Sequence, residues 1–203
     1  MSAILPDETN VWKRFKQGDL AAYEAIYQCY YDQLYNYGRK FTADCFLIED
    51  CIQQLFVDLW KNKARLATPP SVKNYLYKAF RTALFKQLKR ADRTVYDQQK
   101  SHTFVASLST ETQLIQSEQQ AELYAWLQKA LNCLSDHQRE AIFLKFYDQL
   151  SYQEISEIMQ IEVRAAYDLV HKGLTRLRNL PNLQPRLLIS MGILLIMALS
   201  IWP

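Results

Sequence analysis

Apolar positions recur at helical spacing through most of this chain, and no stretch alternates cleanly over a strand length. The chain therefore reads as all-α. The strongest pattern runs from Leu47 to Trp60. There Leu47, Ile48, Cys51, Ile52, Leu55, Phe56, Leu59 and Trp60 recur in pairs every four residues, which predicts a broad buried stripe. Glu49, Asp50, Gln53, Gln54 and Asp58 make the opposite face. Such an acidic, amide-rich face suits either plain solvated surface or docking.

Upstream, residues 1–10 are expected to fray, and a helix begins at Val11 and runs to Lys16, where Gly18-Asp19 breaks it. Leu20 to Phe41 is a helix dense in tyrosines (Tyr23, Tyr27, Tyr30, Tyr31, Tyr35, Tyr37), read as core. Downstream, Thr68-Pro69-Pro70 is a break and Ser71 a helix start. That helix runs to about Arg90 and buries Val72, Tyr75, Leu76, Ala79, Phe80, Ala83, Leu84 and Leu88. Its other faces carry Lys73, Lys78, Arg81, Lys86, Lys89 and Arg90, with Tyr77, Thr82 and Phe85 among them. Basic side chains hold phosphates, and aromatic faces stack unpaired bases for about 1–3 kcal/mol each. The competing reading is a basic surface helix with Phe85 and Tyr77 tucked against a neighbour.

Residues 93–117 are polar and lack sustained periodicity, as a linker does. Helical pattern resumes at about Ser117 with Leu123, Trp126, Leu127, Ala130, Leu131 and Leu134. Ser135 with Gln138, and Ser151 with Glu154, are capping-box pairs that open two short helices. The second of these buries Tyr152, Ile155, Ile158 and Met159. Gln160-Ile161-Glu162 leaves room only for a turn. A further helix then places Val163, Ala166, Val170, Leu174 and Leu177 on one face. Arg164, Tyr167, Asp168, His171, Lys172, Thr175 and Arg178 fall on the others. Helix, short turn and basic helix is the layout of a helix-turn-helix, whose second helix enters the major groove of DNA.

The net charge of +3 conceals segregation. Residues 61–93 carry 10 basic and 1 acidic side chains and residues 164–203 carry 5 and 1, whereas residues 94–122 between them carry 1 and 4. Two basic blocks around an acidic one suggest two contacts with a polyanion. The four cysteines, Cys29, Cys45, Cys51 and Cys133, include no Cys-x-x-Cys pair, and the three histidines are scattered. No metal site or disulfide framework is expected, which fits a reducing cytoplasm. The N-terminus lacks the basic-then-apolar run of a signal peptide. With no nucleophile–base pair or phosphate loop in view, the expectation is a non-enzyme without cofactor.

Together these features resemble a bacterial RNA polymerase sigma factor of the extracytoplasmic-function (ECF) type, over about residues 10–180. IEDCIQQLFVDLW is similar to the family's region 2 helix, SVKNYLYKAFRTALFKQLKR to its promoter-melting segment, and LSDHQREAIFLKFYDQLSYQEISEIMQIEVRAAYDLVHKGLTRLR to region 4. The resemblance implies two small helical domains, region 2 in 10–92 and region 4 in 118–180, joined by a flexible linker over 93–117. It implies that Asp50, Gln53, Gln54 and Phe56 dock on core RNA polymerase, Phe56 also lying on the core side of its helix. It places Lys78, Arg81, Thr82, Phe85, Lys86, Lys89 and Arg90 at the melted minus-ten element of promoter DNA. It places Arg164, Ala165, Tyr167, Asp168, His171 and Lys172 on the helix that reads the minus-thirty-five element. An anti-sigma factor is a further partner that the family often has. Four positions depart from the family pattern: Thr82 stands for Asn, Gln54 for Glu, Gln160 for a turn Gly, and Ala165 for a frequent Thr.

Beyond that plan, Leu187 to Trp202 forms 16 residues without charge, and residues 186–203 read as an added hydrophobic helix. At about 1.5 Å per residue the uncharged run spans about 24 Å, short of the roughly 30 Å of a hydrocarbon core. Snorkelling of Arg186 and Trp202 at an interface would cover the shortfall. A membrane anchor on a cytoplasmic body, a helix docked on the protein or on a partner, and disorder all stay open for this tail. Two rival functions are also open: a one-component helix-turn-helix regulator, and a membrane-tethered adaptor whose basic faces meet acidic lipid headgroups. Against the regulator, residues 47–90 supply an amphipathic helix beside a basic aromatic one, which operator binding does not require.

Overall fold

The computed structural model describes residues 7–94 and 130–179, which fall in two compact units. Most of the predicted linker, the helix expected from Ser117 to residue 129, and the hydrophobic tail lie outside the described residues. Among those described, every regular element is helical.

The first unit begins with α1 (Glu8–Lys16), three residues before the predicted Val11. Asp7 caps it by accepting from the Asn10 N–H at 3.2 Å. The expected fraying also overlooked Glu8. Its carboxylate accepts from the Tyr30 hydroxyl and from the Val72 N–H, the latter at 3.2 Å. One side chain thus ties α1 to two later helices. Trp12 and Phe15 are buried, and the Trp12 indole donates to the Ala67 carbonyl at 3.1 Å.

Gly18, at φ 93°, turns the chain into α2 (Leu20–Gly38). Asp19 caps this helix through the Ala21 and Ala22 amides, at 2.9 and 3.3 Å. The Arg14 guanidinium donates to the same carboxylate at 2.7 Å. That hydrogen bond, helped by the cap amides, holds the Asp19 carboxyl below its usual range. The cap therefore stays intact at neutral pH and is lost only as pH falls through the depressed value. α2 stops at Gly38, short of the predicted Phe41, because residues 39–41 form a turn in which Phe41 N–H bonds the Gly38 carbonyl at 2.9 Å. A Cβ at Gly38 would lie 2.9 Å from Ile48 and 3.0 Å from Phe80, so glycine permits this approach. Of the six tyrosines read as core, only Tyr30 and Tyr37 are buried. Tyr23, Tyr27, Tyr31 and Tyr35 are half-buried. Tyr27 and Tyr35 each lie against Tyr31, with ring centroids 5.3 and 6.2 Å apart.

α3 (Cys45–Asn62) starts at the Asp44 cap and buries Ile48, Cys51, Ile52, Leu55, Phe56 and Leu59. Leu47 and Trp60 at the stripe's edges are only half-buried. A short 3-10 turn, Lys63–Arg65, follows. Ser71 Oγ then accepts from the Asn74 N–H at 3.3 Å and opens α4 (Val72–Thr94), which continues four residues past the predicted Arg90. Val72, Leu76, Phe80 and Leu84 are buried as expected. Tyr75, Ala79 and Ala83 are half-buried because they line a cleft of about 330 Å³ against Leu55, Leu59 and Leu66.

In the second unit, 130–132 is helical and leads to α5 (Asp136–Phe146), α6 (Tyr152–Met159) and α7 (Val163–Arg178). Both capping boxes form reciprocally: Ser135 with Gln138 before α5 and Ser151 with Glu154 before α6. Ile142, Phe143, Leu144, Ile155, Ile158, Ala166, Val170 and Leu177 build the core. Tyr152, expected in the core, is half-buried. Two positions on the predicted buried face of α7 are also misplaced, since Val163 and Leu174 are exposed. The buried stripe is instead Ala166, Val170, Gly173 and Leu177. Gly173 belongs there because a Cβ would lie 2.8 Å from Ile142 Cδ1, so its absence lets α7 approach α5. Hydrophobicity alone did not single out this glycine.

Candidate docking and nucleic-acid surfaces

The outer face of α3 presents Asp50, Gln53 and Gln54 to solvent. Gln54 donates to Asp58 one turn on, at 2.8 Å, which orders the amide beside the cleft. Phe56 is not part of this surface. It is 1% exposed, with its ring 4.9 Å from Tyr27 and 6.0 Å from Tyr23. Its docking assignment is corrected to support of the helix from the core side. Two apolar residues of α3 are exposed as well: Phe46, 81% exposed, and Val57, 41% exposed. The signal was present, because Phe46 lies four residues before Asp50 and Val57 four after Gln53, the spacing of one helix face.

The basic face of α4 also gathers on one side. Lys78, Thr82, Lys86, Lys89 and Arg90 are exposed, with Arg81 and Phe85 half-exposed between them. Their spacing keeps all seven on one broad helical surface. The Arg81 guanidinium carbon lies 4.4 Å from the centre of the Phe85 ring, and Phe41 meets that ring edge-on at 5.0 Å. Phe85 is thus oriented by a neighbour while part of it stays accessible. Thr82 donates its hydroxyl back to the Lys78 carbonyl at 2.8 Å. Tyr77 leaves this surface altogether, being 0% exposed and packed 5.2 Å from Tyr37.

The turn into α7 is made by Gln160 at φ 56°, ψ 48°. Ile161 N–H returns to the Ser156 carbonyl at 3.0 Å. A left-handed non-glycine residue costs about 1–2 kcal/mol, of which glycine's greater chain entropy offsets part. Gln160→Gly is therefore expected to raise stability by about 0.5–1 kcal/mol, measured by denaturant unfolding. A loss of stability would mean that the Gln160 side chain contributes more than the backbone strain removes.

On α7, Arg164, His171 and Lys172 are exposed, while Ala165 and Asp168 are half-exposed. Asp168 lies 3.7 Å from Lys172, an exposed pair. Tyr167 is 48% exposed and both packs and faces outward. Its ring meets Tyr152 edge-on at 5.3 Å and stacks on His171 at 5.7 Å. Lys145 Nζ lies 4.6 Å over Tyr152, so a cation and three rings run from α5 across α6 to α7. The helix thus offers a guanidinium, an imidazole, an ammonium and a fixed aromatic on its accessible side. These groups can hold phosphates and meet base edges.

Comparison with known proteins follows the same division. The sigma-70 region 2 family matches residues 26–94, and the sigma-70, region 4 family matches residues 124–177. The ECF RNA polymerase sigma factor SigW of Bacillus subtilis (strain 168) is 25% identical over 175 residues, covering 82% of this chain and 92% of the relative. SigM of the same organism is 27% identical over 160 residues, covering 78% and 94%. Among solved structures, CnrH in complex with the cytosolic domain of CnrY aligns with a TM-score of 0.57 at 16% identity, covering 84% of this chain and 94% of that one. The sigma factor RpoE in complex with the anti-sigma factor NepR from Bartonella quintana aligns at 0.51 and 21% identity, covering 82% and 95%. The two structures support the fold, and the sequence matches carry the function. The chain is a sigma factor of the ECF kind, with sigma-70 regions 2 and 4, and it directs promoter recognition and transcription initiation.

Proposed function

We propose that the work of initiation is divided among the three surfaces. The α3 face, through Asp50, Gln53 and Gln54, docks on core RNA polymerase. The α4 face, through Lys78, Arg81, Thr82, Phe85, Lys86, Lys89 and Arg90, holds the upstream edge of the melted minus-ten element. The α7 face, through Arg164, Ala165, Tyr167, Asp168, His171 and Lys172, reads the minus-thirty-five element. The observation that carries this division is the separation within the first unit. Asp50, Gln53 and Gln54 point outward from α3, while Phe85 lies among cations on α4. Cations neutralise phosphates and make affinity fall with salt, and an accessible ring captures an unpaired base.

Residues 93–117 serve as the linker between region 2 and region 4, although α4 extends through Thr94. An anti-sigma factor is a further partner, supported by the solved relative bound to NepR. Among the described residues no helix is long and apolar enough to cross a membrane. The 186–203 tail lies beyond them, and its uncharged run supports a role in holding the cytoplasmic body at a membrane. A chain ending at Leu180 should then leave the membrane fraction, and unchanged fractionation would remove the anchor.

Co-purification with core RNA polymerase tests the division of work. The full chain should retain the polymerase, and Asp50→Ala combined with Gln53→Ala should weaken retention at least tenfold with duplex DNA binding unchanged. Equal retention by the double variant would exclude Asp50 and Gln53 as the docking groups.

A further inference from the structure

We infer that Phe46 and Val57 are the apolar anchors of the α3 docking surface, and that their occupant is a basic surface of core RNA polymerase. This inference rests on the docking role proposed for Asp50 and Gln53. At about 100° per residue, Phe46, Asp50, Gln53 and Val57 lie within about 60° of one another around the helix. Along the axis they span about 16 Å. Whatever covers Asp50 and Gln53 therefore also covers the residues one turn to either side. Both ends of the strip are exposed apolar groups, and Phe46 is the more exposed at 81%.

The chemistry of the strip limits its occupant. Asp50 lies within it and Glu49 beside it, so its middle is acidic, while the ends are apolar. Arg or Lys opposite Asp50, with an apolar recess opposite Phe46, complements that order. Exposed aromatics that enter a recess in a partner carry a disproportionate share of binding energy, whereas the surrounding polar contacts mainly set register. Phe46 is thus the affinity group, and Asp50 with Gln53 the alignment group. Neither apolar residue belongs to the polar motif by which the docking helix was recognised.

The test compares full-length wild-type chain with Phe46→Ser, Val57→Ser, Phe46→Leu and the Asp50→Ala/Gln53→Ala double variant, each titrated with purified core RNA polymerase. Phe46→Ser should weaken binding at least tenfold and Val57→Ser about threefold, while Phe46→Leu retains most of the affinity. Thermal melting and minus-thirty-five duplex binding should match wild type, since neither side chain is buried. If Phe46→Ser binds core normally while the double variant does not, the anchor inference fails and the docking face stands. If the double variant binds normally and Phe46→Ser does not, the polar reading and the basic character of the occupant fail, and only the anchoring by Phe46 stands. Normal binding by every variant overturns both. Wild-type self-association abolished by Phe46→Ser, with core binding unchanged, would assign the residue to a second copy of this chain and overturn the inference.

Discussion

Alanine at Phe85 is expected to leave the first unit folded while reducing promoter opening roughly 5- to 150-fold, the equivalent of one lost base stack. Alanine at Tyr77, eight residues earlier on the same helix, should do the reverse. Tyr77 is fully buried against Tyr37, and removing a buried aromatic costs about 3–5 kcal/mol. That is a large part of a typical domain's 5–15 kcal/mol. Phe85 is half-exposed and rests on Phe41 by its edge, so its truncation should cost only about 1 kcal/mol of stability. Thermal melting separates the two variants first. Permanganate reactivity of thymines near the minus-ten element then reads opening for Phe85→Ala alone. Normal opening by this variant would remove Phe85 from the melting surface.

The second large effect is expected on α7, where two cations should behave differently. Arg164 is exposed in the first turn of the helix proposed to read the minus-thirty-five element, and a bidentate pair with guanine would carry about 1–3 kcal/mol of discrimination. Arg164→Ala should therefore weaken binding to the cognate minus-thirty-five duplex by roughly 5- to 150-fold and flatten its preference over mutated duplexes. Lys172 lies two turns on, with Asp168 at 3.7 Å, and is expected to act through phosphate. Lys172→Ala should weaken all duplexes alike and reduce the slope of log K against log salt by about 1. Equal loss of sequence preference in both variants would contradict this division.

Much of this organisation was legible because it rests on local rules. The Ser135 and Ser151 boxes were readable from spacing, and both form. The Leu47–Trp60 pattern located α3 to within two residues at each end, because its apolar pairs follow helical geometry. What escaped depends on contacts distant in sequence. Glu8 orders the start of α1 through Tyr30 and Val72, which no local pattern shows. Gly173 is buried because Ile142 requires the room. Among aromatics, periodicity could not rank Tyr77 against Phe85. Tyr77 meets Tyr37 on α2, whereas Phe85 meets Phe41 near its end and stays partly open. Phe56 carried the family motif yet faces inward, since it pairs with Leu55 on the buried stripe rather than with Gln53. Phe46 was missed for the opposite reason, because an exposed apolar residue adds nothing to a buried-stripe pattern.

The most direct measurement of the central claim is transcription in vitro from a promoter library, using core RNA polymerase with and without the full chain. The expected result is a set of specific start sites that require the chain, share two sequence elements, and vanish with the Asp50→Ala/Gln53→Ala variant. Binding of palindromic duplexes in the absence of polymerase, with no chain-dependent start site, would contradict it.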